Sequence, residues 1–239
     1  MKKAVSQLML KKYTNYKYQL PEYNPNATFD WIKNQSGLPW LQLGIKIPFK
    51  EILNELESIQ SLLVPHRDSY GDHNGWKSFC IHGKSFDATR EDEYYNDSRI
   101  HIWTPEAKQH LPQTVEYFSK WPNSGFSRLR VMLLEPGGYI SAHSDYKKSS
   151  LVPINIAITQ PSECNFAMKD YGIVPFDVGS AFWLDISNMH TVFNNSEQPR
   201  WHIIVHQSFD NTEFQQIVVN SYKTLYNIHN ETMHNTNPR

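Results

Sequence analysis

The sequence predicts a mainly β protein, a sandwich or barrel with flanking helices. Short segments rich in β-branched and aromatic residues recur between residues 76 and 209, and Gly, Pro, Asn or Ser fills the gaps. Stretches with helical spacing precede, interrupt and follow them. The chain has 239 residues with 7 Trp, 13 Tyr and 12 Phe, enough length and bulk for a sizeable core.

Residues 1–47 are polar, aromatic and rich in Asn and Pro, and read as irregular structure wrapping a core. In IPFKEILNELESIQSLLVP, Ile52, Leu53, Leu56, Ile59, Leu62 and Leu63 recur at helical spacing until Pro65 stops the helix. A second helix starts at Thr104, with Pro105 at its first position and Glu106 in its first turn. It runs toward Trp121 with an interruption at Pro112. The strands are WKSFCI (76–81), RIHIW (99–103), SRLRVMLL (127–134), YISAHSD (139–145), LVPINIAIT (151–159), CNFAM (164–168), SAFWLD (180–185), HTVFN (190–194) and RWHIIVHQSF (200–209). A last helix follows Asn211 or Thr212 as N-cap, and the final residues NETMHNTNPR read as a frayed tail. No linker or repeat appears. The expectation is one domain over 1–239: an N-terminal wrapping segment with one helix (1–74), a β core (75–209), and a C-terminal helix and tail (210–239).

Composition excludes several functions. The net charge is −1, and no clustered basic surface marks a nucleic-acid binder. No apolar run approaches the roughly 20 residues of a membrane span. The start, MKKAVSQLMLKKYTNYKYQ, is basic like a secretory leader, but Ser6 and Gln7 break its short apolar stretch and Lys11 and Lys12 follow. It reads as mature sequence, with the cytoplasm as the expected compartment. Cys80 and Cys164 are no disulfide framework and read as small apolar residues in strands.

The chemistry concentrates in ISAHSDYKKSS (140–150). On a strand, Tyr139, Ser141, His143 and Asp145 share one face, so His143 and Asp145 converge on one ion. His190 supplies a third ligand from the start of another short strand. Two His and a carboxylate with open positions are the donor set of non-haem Fe(II) oxygenases. Ten residues later Arg200 opens RWHIIVHQSF, where alternation puts Arg200, His202, Ile204 and His206 on one face. An inward Arg is costly unless it meets an anion. Its fork matches a carboxylate, and 2-oxoglutarate has one to offer at the far end from a metal. Tyr139, Ser141 and Trp183 are candidate pocket-liners, and His202 a candidate for assisting a carboxylate. Arg128 and Arg130 alternate with Leu129 and Val131, and serve either a carboxylate-bearing substrate or a solvated face. A second His-x-Asp, His66-Arg67-Asp68, follows a helix in a polar loop. Its distal partner would be the helical His110, with Lys120 in place of the Arg, so it reads as a residue at a substrate entrance at most.

His-x-Asp, His, and Arg ten residues on resemble the Fe(II)/2-oxoglutarate-dependent dioxygenases. RLRVMLLEPGGYISAHSD, VPINIAI and FDVGSAFWLDISNMHTVFNNSEQPRWHIIVH resemble their aspartyl/asparaginyl β-hydroxylase branch, as does GWKSFCIHG (75–83). The resemblance covers residues 75–209. It implies a double-stranded β-helix, the jelly roll of cupin-like proteins. It also implies Fe(II) on His143, Asp145 and His190, the distal carboxylate of 2-oxoglutarate on Arg200, and O₂ as co-reactant. Some members of the branch carry Gly at the Asp145 position; the carboxylate present here implies hydroxylation, since halogenation needs that position vacant. Many members carry Arg-x-His in the strand after the first His, touching the cosubstrate. This chain has Pro153-Ile154-Asn155, with Asn155 in the contacting position.

The expected activity is hydroxylation of an unactivated C–H, in an Asp or Asn side chain of a peptide or in a free amino acid. The absence of an appended repeat tilts the expectation toward a small amino-acid-like substrate. Two other readings compete: a cupin-like metal- or ligand-binding protein without 2-oxoglutarate turnover, for which Arg200 has no use, and a structural β-sandwich module.

Overall fold

The computed structural model describes residues 2–66, 73–89, 102–145 and 147–235. Residues 2–47 are irregular only in part: between unstructured stretches they hold α1 (Lys2–Tyr13), α2 (Phe29–Gln35) and β1 (Trp40–Leu43). Apolar periodicity hid α1, because Ser6, Met9 and Tyr13 are buried while Val5 and Leu8 face solvent. Thr28 caps α2, its hydroxyl accepting from the Trp31 amide at 3.3 Å. The expected helix in the next stretch is α3 (Phe49–Ser58), followed by a 3₁₀ turn over Gln60–Leu62.

Then come β2 (Val64–Pro65), β3 (His73–Gly83) and β4 (Ile102–Trp103); the first three residues of the expected strand 99–103 lie outside the described residues. The helix expected from Thr104 is split at Leu111 into α4 (Pro105–His110) and α5 (Pro112–Ser119). Pro112 lacks the N–H that would continue α4 but suits the first turn of a new helix. Glu55 of α3 caps α5, accepting from the Gln113 amide at 2.8 Å and the Thr114 amide at 2.9 Å.

The remaining elements are β5 (Phe126–His143), β6 (Ile154–Ala157), β7 (Cys164–Met168), β8 (Gly172–Ile173), β9 (Ala181–Leu184), β10 (His190–Asn194), β11 (Arg200–Gln207) and α6 (Thr212–Asn235). Asn211 caps α6 through its side-chain oxygen, which accepts from the Phe214 amide at 2.9 Å. The helix continues to Asn235, through most of the stretch expected to fray.

The two strands expected at 127–134 and 139–145 are one strand, β5. The sheet order is β1-β9-β6-β11-β5-β10-β7-β8, with β3 also paired to β5. β5 serves both walls: Phe126 to Leu134 pair with β11, and Tyr139 to His143 pair with β10. Between them lies Pro136-Gly137-Gly138. Gly137 has φ +72°, and a Cβ on Gly138 would stand 2.9 Å from the Asn74 carbonyl oxygen. The antiparallel sheet curls there into the jelly roll implied by the sequence.

Alternation sorts the walls. In β5, β6, β9 and β11, Leu129, Ile154, Trp183 and Ile203 belong to the core under the helices, while Leu134, Ala157, Phe182 and Leu184 belong to the core between the walls. The strands are buried on both faces because α2, α6 and their neighbours cover the outside. Cys80 and Cys164 are free, buried thiols in strands, as expected, and burial pushes the Cys164 thiol up to about 11.

Candidate active site

A cavity of about 70 Å³ lies between the walls. His143 ends β5, His190 opens β10, and the two residues pair across the sheet. Their ring centroids are 4.4 Å apart. Asp145 follows in the loop after β5, where its amide donates to the Ile186 carbonyl oxygen at 3.0 Å. Ligand atoms of His143, Asp145 and His190 all lie within 4.8 Å of one another.

Both imidazoles are oriented by backbone carbonyls. The Nδ1–H of His143 donates to Ser141 O at 2.6 Å, and that of His190 to Asn188 O at 2.9 Å. A carbonyl only accepts, so each Nδ1 carries a proton, which leaves Nε2 as the nitrogen of each ring that a metal would bind. Those two Nε2 atoms stand 3.7 and 4.0 Å from different oxygens of Asp145. This donor set, two imidazoles and one carboxylate, suits a divalent iron. Phe166 stacks on His190 with planes 10° apart and fixes the ring from behind.

Arg200, at the start of β11, lines the same cavity and is only 4% exposed. Burial pushes its pKa down to about 10, so it keeps its charge at neutral pH. Among the described residues no carboxylate pairs with it, and its Nε has no hydrogen-bond partner. The Phe176 ring lies 5.7 Å from the guanidinium carbon. A buried, charged fork with an idle donor fits the carboxylate of a bound dicarboxylic acid.

A relay fixes the other side of Arg200. The Gln160 amide donates to the Cys164 carbonyl, so its oxygen accepts from His202 Nε2 at 3.1 Å. His202 is held neutral, its pKa well below the ordinary value through burial and then Arg200. Its Nδ1 therefore accepts from Arg200 Nη2 at 2.9 Å. Asn155 Oδ1 is placed 2.5 Å from the same nitrogen; with Nδ1 an acceptor, the Asn155 amide is turned so that its NH₂ group faces it, and Asn155 also lines the cavity. His202 is wholly buried behind Arg200 and is not on the cavity wall.

Three expected pocket-liners lie elsewhere. Against β10, His190 pairs with His143 and Val192 with Ile140, so β5 holds three steps where β10 holds two. This bulge breaks the alternation. Ile140 lines the cavity in place of Tyr139 and Ser141, and Tyr139 stacks on Phe193 instead. Trp183 sits on the outer face of β9 against Phe29 and Phe214. Arg128 and Arg130 are each 5% exposed on the cavity wall, which removes the solvated-face reading. His66 also lines the cavity, while Arg67 and Asp68 lie outside the described residues.

Asp185 and Ser6 were not legible as site residues. Asp185 is buried, and its carboxylate accepts from the Ser149 hydroxyl and, at 2.6 Å, from the Ser187 hydroxyl. It ties the loop after Asp145 to the turn before His190. Ser6 of α1 accepts from the Ala142 amide at 2.8 Å, inside the bulge beside His143. Both are ordinary polar residues by sequence, and only the tertiary path brings them to the site.

A sequence model described as Aspartyl/Asparaginyl beta-hydroxylase matches residues 46–208. No curated protein matches the chain in sequence. Among solved structures, an oxidoreductase of the 2OG-Fe(II) oxygenase family from Burkholderia pseudomallei is similar at 10% identity and TM-score 0.46, over 82% of this chain and 97% of that one. A Pseudomonas putida prolyl-4-hydroxylase is similar at 14% identity and TM-score 0.44, over 76% and 98%. A Trichoplax adhaerens prolyl hydroxylase in complex with a hypoxia inducible factor peptide fragment is similar at 16% and 0.47, over 79% and 90%. The family match begins in front of α3 and takes in all four residues of the triad and its arginine, and on it the chain belongs to the aspartyl/asparaginyl β-hydroxylase family, as a hydroxylase that works with Fe(II), 2-oxoglutarate and O₂.

Proposed function

We propose that His143, Asp145 and His190 hold the iron, that Arg200 binds the distal carboxylate of 2-oxoglutarate, and that the substrate is amino-acid-like. The observation that carries this is the pairing, in one cavity, of a convergent His-Asp-His set with a buried arginine whose Nε is idle. Fe(II) bound there supplies the coupling of 2-oxoglutarate decarboxylation by O₂ to hydroxylation of a C–H bond. The chain's own residues do the rest. Ser141 O and Asn188 O aim the imidazoles, Arg200 orients the cosubstrate, and Asn155 lies at the wall beside it. His202 acts through Arg200, as a neutral acceptor that fixes one arm of the fork without adding charge. Phe166, Leu184 and Val192 form apolar wall around these groups and limit water.

The size and enclosure of the cavity favour a free amino acid or one side chain of a peptide. Among the described residues no helix is long and apolar enough to cross a membrane. We place the reaction in the cytoplasm, a reading supported by two free thiols in the fold.

The test is metal content and turnover together. The parent protein, purified without oxygen, takes up Fe(II) and, on admission of O₂, converts 2-oxoglutarate to succinate. His143→Ala loses both. Iron uptake without succinate formation contradicts the cosubstrate assignment and returns the cupin-like binding reading.

A further inference from the structure

The relay behind Arg200 begins at a residue away from the cavity. Gln160 is half-buried in the loop between β6 and β7 and is not on the cavity wall. That loop is fastened to both neighbours of Arg200. The Ile158 and Thr159 amides donate to the Trp201 carbonyl oxygen at 2.9 and 3.0 Å. The Trp201 amide donates to the Thr159 hydroxyl oxygen at 2.9 Å, and that hydroxyl donates to the Pro199 carbonyl oxygen at 3.0 Å. Gln160 is therefore carried by backbone tied to the start of β11.

Each end of the relay has one polarity. At one end the Cys164 carbonyl only accepts, so it takes the Gln160 NH₂ and turns Oε1 toward His202 Nε2, 3.1 Å away. At the other end the Arg200 guanidinium only donates, and its Nη2 stands 2.9 Å from His202 Nδ1. Both ends demand the same tautomer of His202, with the proton on Nε2 and the lone pair on Nδ1. The Thr159 backbone also hydrogen-bonds this ring, so Gln160 is the part of the lock that a substitution can remove. Phe176 confines the ring, packing edge-on against it with centroids 4.9 Å apart.

The other neutral tautomer sets an N–H of His202 against a group made only of N–H donors. Arg200 then loses an acceptor in a buried place, where an unmade hydrogen bond is costly, and its fork turns away from the repulsion.

We propose that Gln160 is a positioning residue for the cosubstrate: by accepting from His202 Nε2–H it holds the tautomer that keeps the Arg200 fork aimed into the cavity, a role that rests on Arg200 binding the distal carboxylate of 2-oxoglutarate. Gln160 touches neither metal nor cosubstrate and acts through His202 and Arg200. A fork fixed in this way meets a carboxylate bidentately without first having to be ordered.

The test has two readouts. The first is nitrogen NMR of the histidine rings in the metal-free protein at mildly alkaline pH, with His202→Gln to assign the signal. The parent is expected to show His202 with its proton on Nε2. Gln160→Met, similar in size but without the acceptor, is expected to shift it toward the Nδ1–H form. The second is titration of the Fe(II)-loaded, oxygen-free protein with 2-oxoglutarate. Gln160→Met is expected to raise the half-saturating concentration about tenfold, with turnover at saturation nearly unchanged once O₂ is admitted. Gln160→Glu, which keeps an acceptor for Nε2–H, is expected to stay closer to the parent in both readouts. Gln160→Ala replaces the methionine variant should that one not fold. The proposal is overturned if the folded variant keeps the parent's tautomer, if its half-saturation is unchanged, or if the glutamate variant is as impaired as the methionine one. A parent protein that binds no 2-oxoglutarate sinks the reading of Arg200 itself, and is told apart because the tautomer measurement involves neither metal nor cosubstrate.

Discussion

At the scale of residues, Arg200 is an uncomfortable side chain without a ligand. It is charged, buried and short of a hydrogen bond. Arg200→Ala is expected to raise the 2-oxoglutarate concentration for half-saturation by tenfold or more, from the loss of charge-assisted hydrogen bonds of about 1.5–3 kcal/mol each. Arg200→Lys keeps the charge but not the fork and falls between. Asp185 makes the complementary case. Its carboxylate joins Ser149 to Ser187 around the metal set. Asp185→Ala is expected to weaken Fe(II) binding about ten- to a hundredfold, measured by competition with a chelator, while Ser149→Ala removes one tie and costs less. That His143, Asp145, His190 and Arg200 meet in one cavity was legible in the sequence, because residue type, spacing and strand context agreed. Asp185 was not, because its work is done across a loop 36 residues away in sequence.

Elements explain which expectations failed. A strand's two faces follow from alternation only while its ladder is regular. β6 and β9 are regular, and β11 is regular from Arg200 to His206, so Asn155, Arg200 and Ile204 face inward as expected. β5 has a bulge beside His143, and there Ile140 takes the place read for Tyr139 and Ser141. The amide of Ala142 inside the bulge donates to Ser6 of α1. Ser6→Ala leaves that buried amide without its acceptor, at a cost of about 1–3 kcal/mol seen as a lower midpoint in chemical denaturation. Ser6→Thr, which restores an oxygen, is expected to recover part of the loss. The N-terminal elements were illegible for a related reason. α1 buries Ser6, Met9 and Tyr13, a set with no apolar stripe, and its place is fixed by tertiary contacts such as the Tyr13 hydroxyl donating to Asp170 at 2.6 Å.

For the molecule as a whole, the polar interior sets a pH dependence. Burial and Arg200 hold His202 neutral, and burial, Arg128 and Arg130 hold His206 neutral. Their folded pKa values lie below the unfolded value of about 6.5. Below that pH the unfolded chain binds protons that the folded chain refuses, so stability is full above about pH 6.5 and falls as pH drops. The thermal midpoint of the metal-free protein is expected to fall from about pH 7 to about pH 5, and to fall less in His206→Gln. The jelly roll itself was legible from strand spacing and the family's motifs, since curling a long antiparallel sheet is how a short-stranded chain buries both faces.

The central claim is that one cavity holds iron and 2-oxoglutarate together. Its most direct test is the visible spectrum of the Fe(II)-loaded protein, kept free of oxygen and titrated with 2-oxoglutarate. The account predicts a weak metal-to-ligand charge-transfer band that saturates with cosubstrate, is absent in His143→Ala, and needs more cosubstrate in Arg200→Ala. Bound iron with no band at any concentration of 2-oxoglutarate would contradict it.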